Sequence, residues 1–322
     1  MNKKKVSILI ASTSTCDVLR LCLQNLEEIK KIEYENLEVV VSDSSSRDGS
    51  AEMVRSEFPW VKLLVVPNNG LAYCLNQAIK SATGDYYLYL GTDAFPKKGT
   101  IGGLVDYFED SGNEKVGAAA VKLLLRDGKQ DMDGHRGIVT PWTSFTHFTK
   151  LEALFPKSKL FTGYFMTYKD LTKEHEIDLC TTHFFFVRKS AQDRVGVWDQ
   201  DFVVYGEDLD MCYRIKMSGW KIMYLPFLSA EHWKGVSVGR KETLDVKTAD
   251  VVVTLKGIDY TKGELRVQMR KLSTDAMEIF YRKHLMEKYP FYIWWVVMPT
   301  IKIMKMLRVA SQKRQNKKLG IK

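Results

Sequence analysis

The chain lacks the features that announce several common chemistries. Its five cysteines (Cys16, Cys22, Cys74, Cys180, Cys212) are scattered through 322 residues without one CxxC pair. That spacing argues against a cysteine zinc site and a disulfide framework, and it fits a reducing compartment. Neither GxGxxG nor GxxxxGK[ST] occurs, so the usual glycine-rich phosphate cradles of dehydrogenases and ATPases are missing. Long hydrophobic runs are missing too. The basic start MNKKK leads into only Val6–Ala11, too short for a signal-peptide core and suited to a buried strand. Near the other end, Pro290 and Pro299 bracket only eight residues of an aromatic stretch, where a spanning helix needs about 20. Residues 301–322 contain no acid but eight Lys/Arg, which leaves only +1 of the net +9 for the rest. A basic body would point to nucleic acid. Here the charge belongs to a tail, and nucleic acid is not an expected partner.

What is present is an alternation. Val6–Ile10, Leu37–Val41, Val61–Val66 and Tyr86–Leu90 read as strands, with helices over Asp17–Ile29, from Ser50, and over Leu71–Ala82. Continuous apolar strands separated by helices predict an α/β fold, a Rossmann-like and mostly parallel central sheet with flanking helices. Such sheets bind ligands beyond the carboxyl ends of their strands, which places the polar loops 11–15, 42–49 and 91–95 on one rim. Further strands are expected over 116–126, Ile177–Val187 and Lys221–Leu225, with 127–175 irregular. The expected organisation is one domain over 1–235, with a nucleotide half to about 125 and an acceptor half beyond. An extension follows over 236–288, with a candidate hairpin of Val251–Leu255 against Leu265–Met269 and a helix. Residues 289–322 read as an aromatic and basic amphipathic tail. Lys302, Lys305 and Arg308 fall on one side of a helix and Ile303, Met304, Met306 and Leu307 mostly on the other. That is the composition of a membrane-surface anchor.

The stretch Tyr205-Gly-Glu-Asp-Leu-Asp-Met-Cys-Tyr-Arg214 places Glu207, Asp208 and Asp210 at the start of a helix that Gly219 closes. One acid would satisfy the helix dipole; three invite a base or metal site at a cleft edge. Asp43, one step off a strand, can accept hydrogen bonds from a nucleobase or ribose, whereas Asp48-Gly49-Ser50 is turn chemistry. Asp93, just past another strand, is costly to bury unless paired or metal-bound. His232 can return to the same rim, and His with carboxylate suits Mn²⁺ or Mg²⁺. Without a phosphate cradle, a bound diphosphate needs such a cation. Asp131-Met-Asp133 follows a surface turn and reads as solvated.

These pieces, in this order, resemble the family 2 glycosyltransferases of GT-A fold, and more narrowly their rhamnosyltransferase-like branch. Val6-Ser-Ile-Leu-Ile-Ala-Ser-Thr13 resembles the opening strand and nucleotide loop. Val39–Ser50 resembles the DNxSxDGS segment, and Asn69–Ile79 with Gly84-Asp85 the NxGxxxxxNxGI…GD helix. Leu90–Asp93 stands where the family has its metal motif. Val195–Arg214, Gly219-Trp220, Pro226 and His232 resemble the closing block. The resemblance covers roughly residues 5–235. It implies donor contacts from Ala11, Ser12, Thr13, Asp43, Asn69, Asn76, Thr92 and Asp93, and a divalent metal at Asp93 and His232. It also implies Asp208 as the base that activates the acceptor, Glu207 as its support and Asp210 as helix structure. The implied reaction is inverting transfer from a nucleoside-diphosphate sugar, dTDP-rhamnose-like or UDP-linked, to a lipid-linked or cell-surface glycan at the cytoplasmic membrane face. Three departures stand out: Gly91 replaces the first metal-motif acid, Ala11 a proline, and Thr182-His183 a small pair. Gly91 keeps open a catalytically silent nucleotide-sugar-binding or scaffold protein.

Overall fold

A computed structural model describes residues 4–235 and 252–321. The chain opens with β1 (Val6–Ser12), α1 (Cys16–Ile32), β2 (Leu37–Asp43), α2 (Ser50–Glu57), β3 (Lys62–Val65), α3 (Leu71–Ile79) and β4 (Tyr86–Leu90). The order β3-β2-β1-β4 is parallel throughout, with Val6 opposite Leu37 on one side and Tyr86 on the other. β1, β2 and β4 are buried along almost their whole length, as strands covered on both faces must be. Leu19, Cys22, Leu23 and Leu26 of α1 close one face over Ile8, Ile10 and Val39. Ala72, Leu75 and Ala78 of α3 close the other over Leu9 and Val40.

The second half adds β5 (Ala94–Pro96), α4 (Thr100–Glu109), β6 (Val116–Leu124), α5 (Pro141–Phe148), α6 (Leu151–Leu154), β7 (His175–Ile177), β8 (Phe184–Arg188), α7 (Lys189–Val195), α8 (Glu207–Met217) and β9 (Lys221–His232). The sheet continues β4-β8-β6-β9-β5, with β7 also on β9. β8 is antiparallel to β4 and β6, β9 is parallel to β6, and β5 and β7 run against β9. The single strand expected over Ile177–Val187 is therefore two. Leu179 is drawn aside by reciprocal backbone bonds with Arg136, and a bridge between Thr181 and Phe184 turns the chain into β8. β9 outlasts its expected end at Leu225, passing Pro226 beside a register shift in β6 and finishing at His232.

Beyond it, β10 (Val253–Leu255) pairs with β11 (Ile258–Tyr260) across Lys256-Gly257, both at positive φ. That is the twist a two-residue hairpin requires. The expected partner, Leu265–Met269, lies instead in α9 (Lys262–Phe280), which Thr261 and Glu264 start as a reciprocal cap. Residues 236–251 of the expected excursion lie outside the described residues. α10 (Phe291–Lys318) runs through Pro299 rather than stopping there, and the Thr300 hydroxyl bonds the Val296 carbonyl at 2.7 Å. α10 packs on α9 through Arg270–Gln312, Lys305–Asp275 and Asn316 to the Gly263 carbonyl. Of the expected basic side, Lys302 is exposed. Lys305 and Arg308 turn toward the body, while Ile303, Met306 and Leu307 are 57, 70 and 66% exposed. Among the described residues, no helix is long and apolar enough to cross a membrane.

Candidate active site

Parallel pairing brings the carboxyl ends of β1, β2 and β4 together. Ser12 lies opposite Asp43, and the Thr13 and Ser44 hydroxyls meet at 2.6 Å. Asp43 is buried, and its two oxygens accept the Ser46 amide at 2.8 Å and the Ser46 hydroxyl at 2.7 Å. Burial raises its pKa above the usual carboxylate value despite these bonds. Ala11 ends this row on β1, and Asn69 is half-buried just before α3. Asn76 does not join them. Its buried amide is committed to the Trp198 backbone, donating to the carbonyl at 2.8 Å and accepting the amide at 2.9 Å. The residue expected to bind donor thus clamps α3 to the segment leading into α8.

Three strand ends assemble a second cluster. Thr92 and Asp93 follow β4 and are buried, Asp93 completely. β5 sets Ala94 opposite His232 at the end of β9, and β8 sets Phe184 opposite Leu90, which brings His183 alongside. Asp93 Oδ1 lies 3.3 Å from His183 Nδ1 and 3.7 Å from His232 Nε2. One ligand atom from each of the three falls within 4.8 Å of the others, a spacing that suits one cation. Gly91 explains how His183 fits. A Cβ there would lie 2.8 Å from His183 Nδ1 and 3.0 Å from Asp93 Oδ1. The glycine thus leaves free the space that the imidazole uses.

Asp131 corrects the sequence reading. Asp127-Gly128 turns the chain back along β6, with Gln130 bridged to Leu124 and the Asp131 amide bonded to the Leu123 carbonyl. Asp131 is therefore 4% exposed, not solvated. His232 Nδ1 donates to its Oδ2 at 2.7 Å, and Lys234 Nζ lies 2.9 Å from Oδ1. Burial alone would raise this carboxyl; the His232 and Lys234 bonds outweigh it and hold it well below the usual range. An ionised Asp131 fixes the proton on Nδ1 and leaves a lone pair on Nε2, as second partners of metal-binding histidines do. Nε2 is buried with no hydrogen-bond partner among the described residues. A divalent cation fits this donor set.

The acids of α8 complete the site. Tyr205 (φ 76°) and Gly206 (φ 83°) both take left-handed backbone, unusual for a bulky tyrosine. A side chain at Gly206 would also press on the Phe202 ring and Ala276. This turn aims Glu207 and Asp208 differently. Glu207 is 3% exposed and accepts the Thr182 hydroxyl at 3.3 Å. Burial, then the charge of Asp208, push its pKa up to about 8. Arg136 donates to Asp208 Oδ2 at 2.7 Å. Two adjacent carboxyls thus sit in opposite environments, Glu207 enclosed and inclined to keep its proton, Asp208 facing a guanidinium. Asp210 turns away to His284 at 2.7 Å and Arg214 at 2.7 Å, which ties α8 to the chain following α9. Sequence reasoning missed His183, Asp131 and Arg136. Only His183 carried a signal, as an oversized residue where a small one was expected.

The comparisons with known proteins bear on the family and the fold. The profile of glycosyl transferase family 2 matches residues 7–196, and that of glycosyl transferase family group 2 matches residues 120–307. A poly-beta-1,6-N-acetyl-D-glucosamine synthase of Staphylococcus aureus is 24% identical over 226 residues, 69% of this chain and 48% of that protein. The chain spans about half the length of such relatives. A dolichyl N-acetyl-alpha-D-glucosaminyl phosphate 3-beta-D-2,3-diacetamido-2,3-dideoxy-beta-D-glucuronosyltransferase of Methanococcus voltae is 21% identical over 262 residues, 78% of this chain and 74% of that one. Among solved structures, a mannosyltransferase of Pyrobaculum calidifontis in complex with GDP-Man and Mn²⁺ superposes with a TM-score of 0.54 at 17% identity, covering 98% of this chain and 76% of that one. GalNAc-T7 with UDP, GalNAc and Mn²⁺ superposes with a TM-score of 0.55 at 14% identity, covering 100% and 55%. At such identities the likeness concerns the fold, and the fold is GT-A.

Proposed function

The chain belongs to glycosyl transferase family 2, and from that premise we propose an inverting glycosyltransferase that moves a sugar from a nucleoside-diphosphate donor to a glycan or lipid-linked acceptor. The observation that carries the reading is the pair Glu207-Asp208, one bonded to Thr182 beside His183 and the other paired with Arg136, on the same rim as the Asp93, His183 and His232 cluster. Residues to about 125 hold the donor and residues 126–235 the acceptor. Asp43 accepts hydrogen bonds from the nucleoside, flanked by Ala11, Ser12, Thr13 and Asn69, with Thr92 beside the sugar diphosphate. The Gly91–His183 pair supports turnover over a silent binding module, because it supplies a third ligand where the motif acid is missing.

Asp208 takes the proton from the acceptor hydroxyl as its oxygen bonds the anomeric carbon and the bond to the diphosphate breaks, inverting that centre. Arg136 holds Asp208 oriented. Glu207, protonated, donates a hydrogen bond to the acceptor or sugar. Asp93, His183 and His232 would hold Mn²⁺ or Mg²⁺, which would stabilise the departing nucleoside diphosphate. The donor is a dTDP-rhamnose-like or a UDP-linked sugar. The enzyme works peripherally at the inner face of the cell membrane, a location supported by the outward apolar residues of α10 and by the lipid-linked acceptor in the name of the Methanococcus relative.

The deciding experiment is nucleoside-diphosphate release from a panel of nucleotide sugars with Mn²⁺, Mg²⁺ or EDTA, on wild type and Asp208→Asn. Metal-dependent release from one donor, lost in the variant, is expected. Tight donor binding without release, even with membrane extract as acceptor source, would defeat the transferase reading. Metal-independent release would remove the cation from it.

A further inference from the structure

α5 presents an unusual face. Trp142, Phe145 and Phe148, three residues apart, are 43, 51 and 47% exposed. The chain after α6 adds Phe155 and Phe161, whose rings stack at 4.7 Å, and Trp142 lies 5.7 Å from Phe145 and 6.0 Å from Phe161. Leu154 stands out beside them, 70% exposed. Soluble monomers rarely expose so continuous an apolar cluster without a partner for it. The cluster is held firmly from behind: Ser144 and Thr146 are buried, and the Ser144 hydroxyl meets that of Tyr281 at 2.8 Å. It also joins α10, since the Arg308 guanidinium lies over the Phe148 ring at 5.8 Å.

Charge identifies the partner. Lys150, Lys157 and Lys159 rim the cluster, exposed and without ion pairs among the described residues. The only acid between residues 140 and 169 is Glu152, and His147 holds it at 2.7 Å. Aromatic side chains with a cationic rim and no free acid match the headgroup region of an anionic bilayer. We propose that the α5–α6 cluster is a second bilayer contact, which together with the outward face of α10 lays the protein on an anionic phospholipid surface. This rests on the membrane-surface reading above. It adds a consequence for chemistry: Arg136, the partner of Asp208, lies on the same excursion five residues before α5. The proposed membrane contact thus lies next in the chain to the residue that pairs with the acceptor-activating carboxylate.

The test uses the full chain and sedimentation with vesicles of phosphatidylcholine alone or with one quarter phosphatidylglycerol. A cluster variant (Phe145→Ser, Leu154→Ser, Phe155→Ser) is compared with a tail variant (Trp295→Ser, Ile303→Ser, Leu307→Ser), with thermal melts and donor hydrolysis in solution as controls. Each variant should bind anionic vesicles about tenfold more weakly, and their combination more weakly still, with both controls unchanged. Lys157→Glu with Lys159→Glu should weaken binding to anionic vesicles only. A cluster variant that binds like wild type while the tail variant does not would overturn this proposal and leave the α10 reading standing. Wild type that ignores both vesicles would defeat both. Light scattering that finds a dimer, dissolved by the cluster variant, would assign the face to a second copy of the chain and overturn the bilayer contact.

Discussion

The two halves of the central sheet treat polar groups in opposite ways. In β3-β2-β1-β4 the interior is aliphatic and aromatic, and the one buried acid, Asp43, sits at the very end of its strand. Around β8, β6 and β9, by contrast, Asp93, Asp131, His183, His232, Glu207 and Asp210 are brought inside or against the sheet. An unpaired buried charge costs several kcal/mol, so each of these needs an answering partner. Within 3 Å, Asp131 and His232 have each other, Asp131 also has Lys234, and Asp210 has Arg214 and His284. The parallel half is a platform whose stability comes from apolar burial. The mixed half gives up some of that stability to hold chemistry in place.

Breaking the mixed half should therefore do what breaking the platform does not. The largest effect is expected from Asp208→Asn, which should lower acceptor-dependent nucleoside-diphosphate release by about a thousandfold while the thermal midpoint stays near wild type. A loss under tenfold would move the base elsewhere. Asp210→Ala comes next. It leaves the half-buried Arg214 and His284 without their shared carboxylate and should cost about 3 kcal/mol in denaturant unfolding, whereas Asp43→Asn should weaken donor binding with little effect on unfolding. Equal destabilisation by both would erase the contrast. Asp131→Asn frees the His232 ring to choose its tautomer, and calorimetric Mn²⁺ affinity should drop by about 10- to 100-fold with near-native stability. Unchanged affinity would make Asp131 merely structural.

The smallest effect is a pH slope. The folded pKa of Glu207, about 8, exceeds the roughly 4.3 of an unfolded glutamate. The folded state therefore holds an extra proton between those values. The stability this gives is complete below about pH 4.3 and is lost as pH rises toward 8. In EDTA-treated protein, Glu207→Gln should flatten the fall in unfolding free energy between pH 5 and 8. A wild-type slope retained in the variant would place the responsible group elsewhere.

The same contrast decides what the sequence made legible. β1, β2 and β4 were readable because a strand buried on both faces is apolar at every position, and the rim residues at their ends followed from parallel topology. The mixed half obeys no such simple pattern. Asp131 looked solvated because its turn was visible but the return along β6, a long-range pairing, was not. His183 lies in the break between β7 and β8, created by the Arg136–Leu179 bridge that no local propensity encodes. Asn76 sits in a segment that resembles a donor-binding helix, yet its amide answers a backbone 122 residues away. In α10 the division into basic and apolar sides was legible as a pattern, but its tertiary contacts were not: Asp275 and Phe148 draw Lys305 and Arg308 toward the body.

The contact between Gly91 and His183 also couples two positions that lie far apart in the chain. A side chain at 91 would bring its Cβ within 2.8 Å of the imidazole and 3.0 Å of Asp93 Oδ1, so the ring would have to move to admit it. Removing His183 would relieve that crowding but leave two of the three candidate ligands. Substitutions at 91 and 183 therefore do not act independently, and the pair has to be redesigned together or not at all.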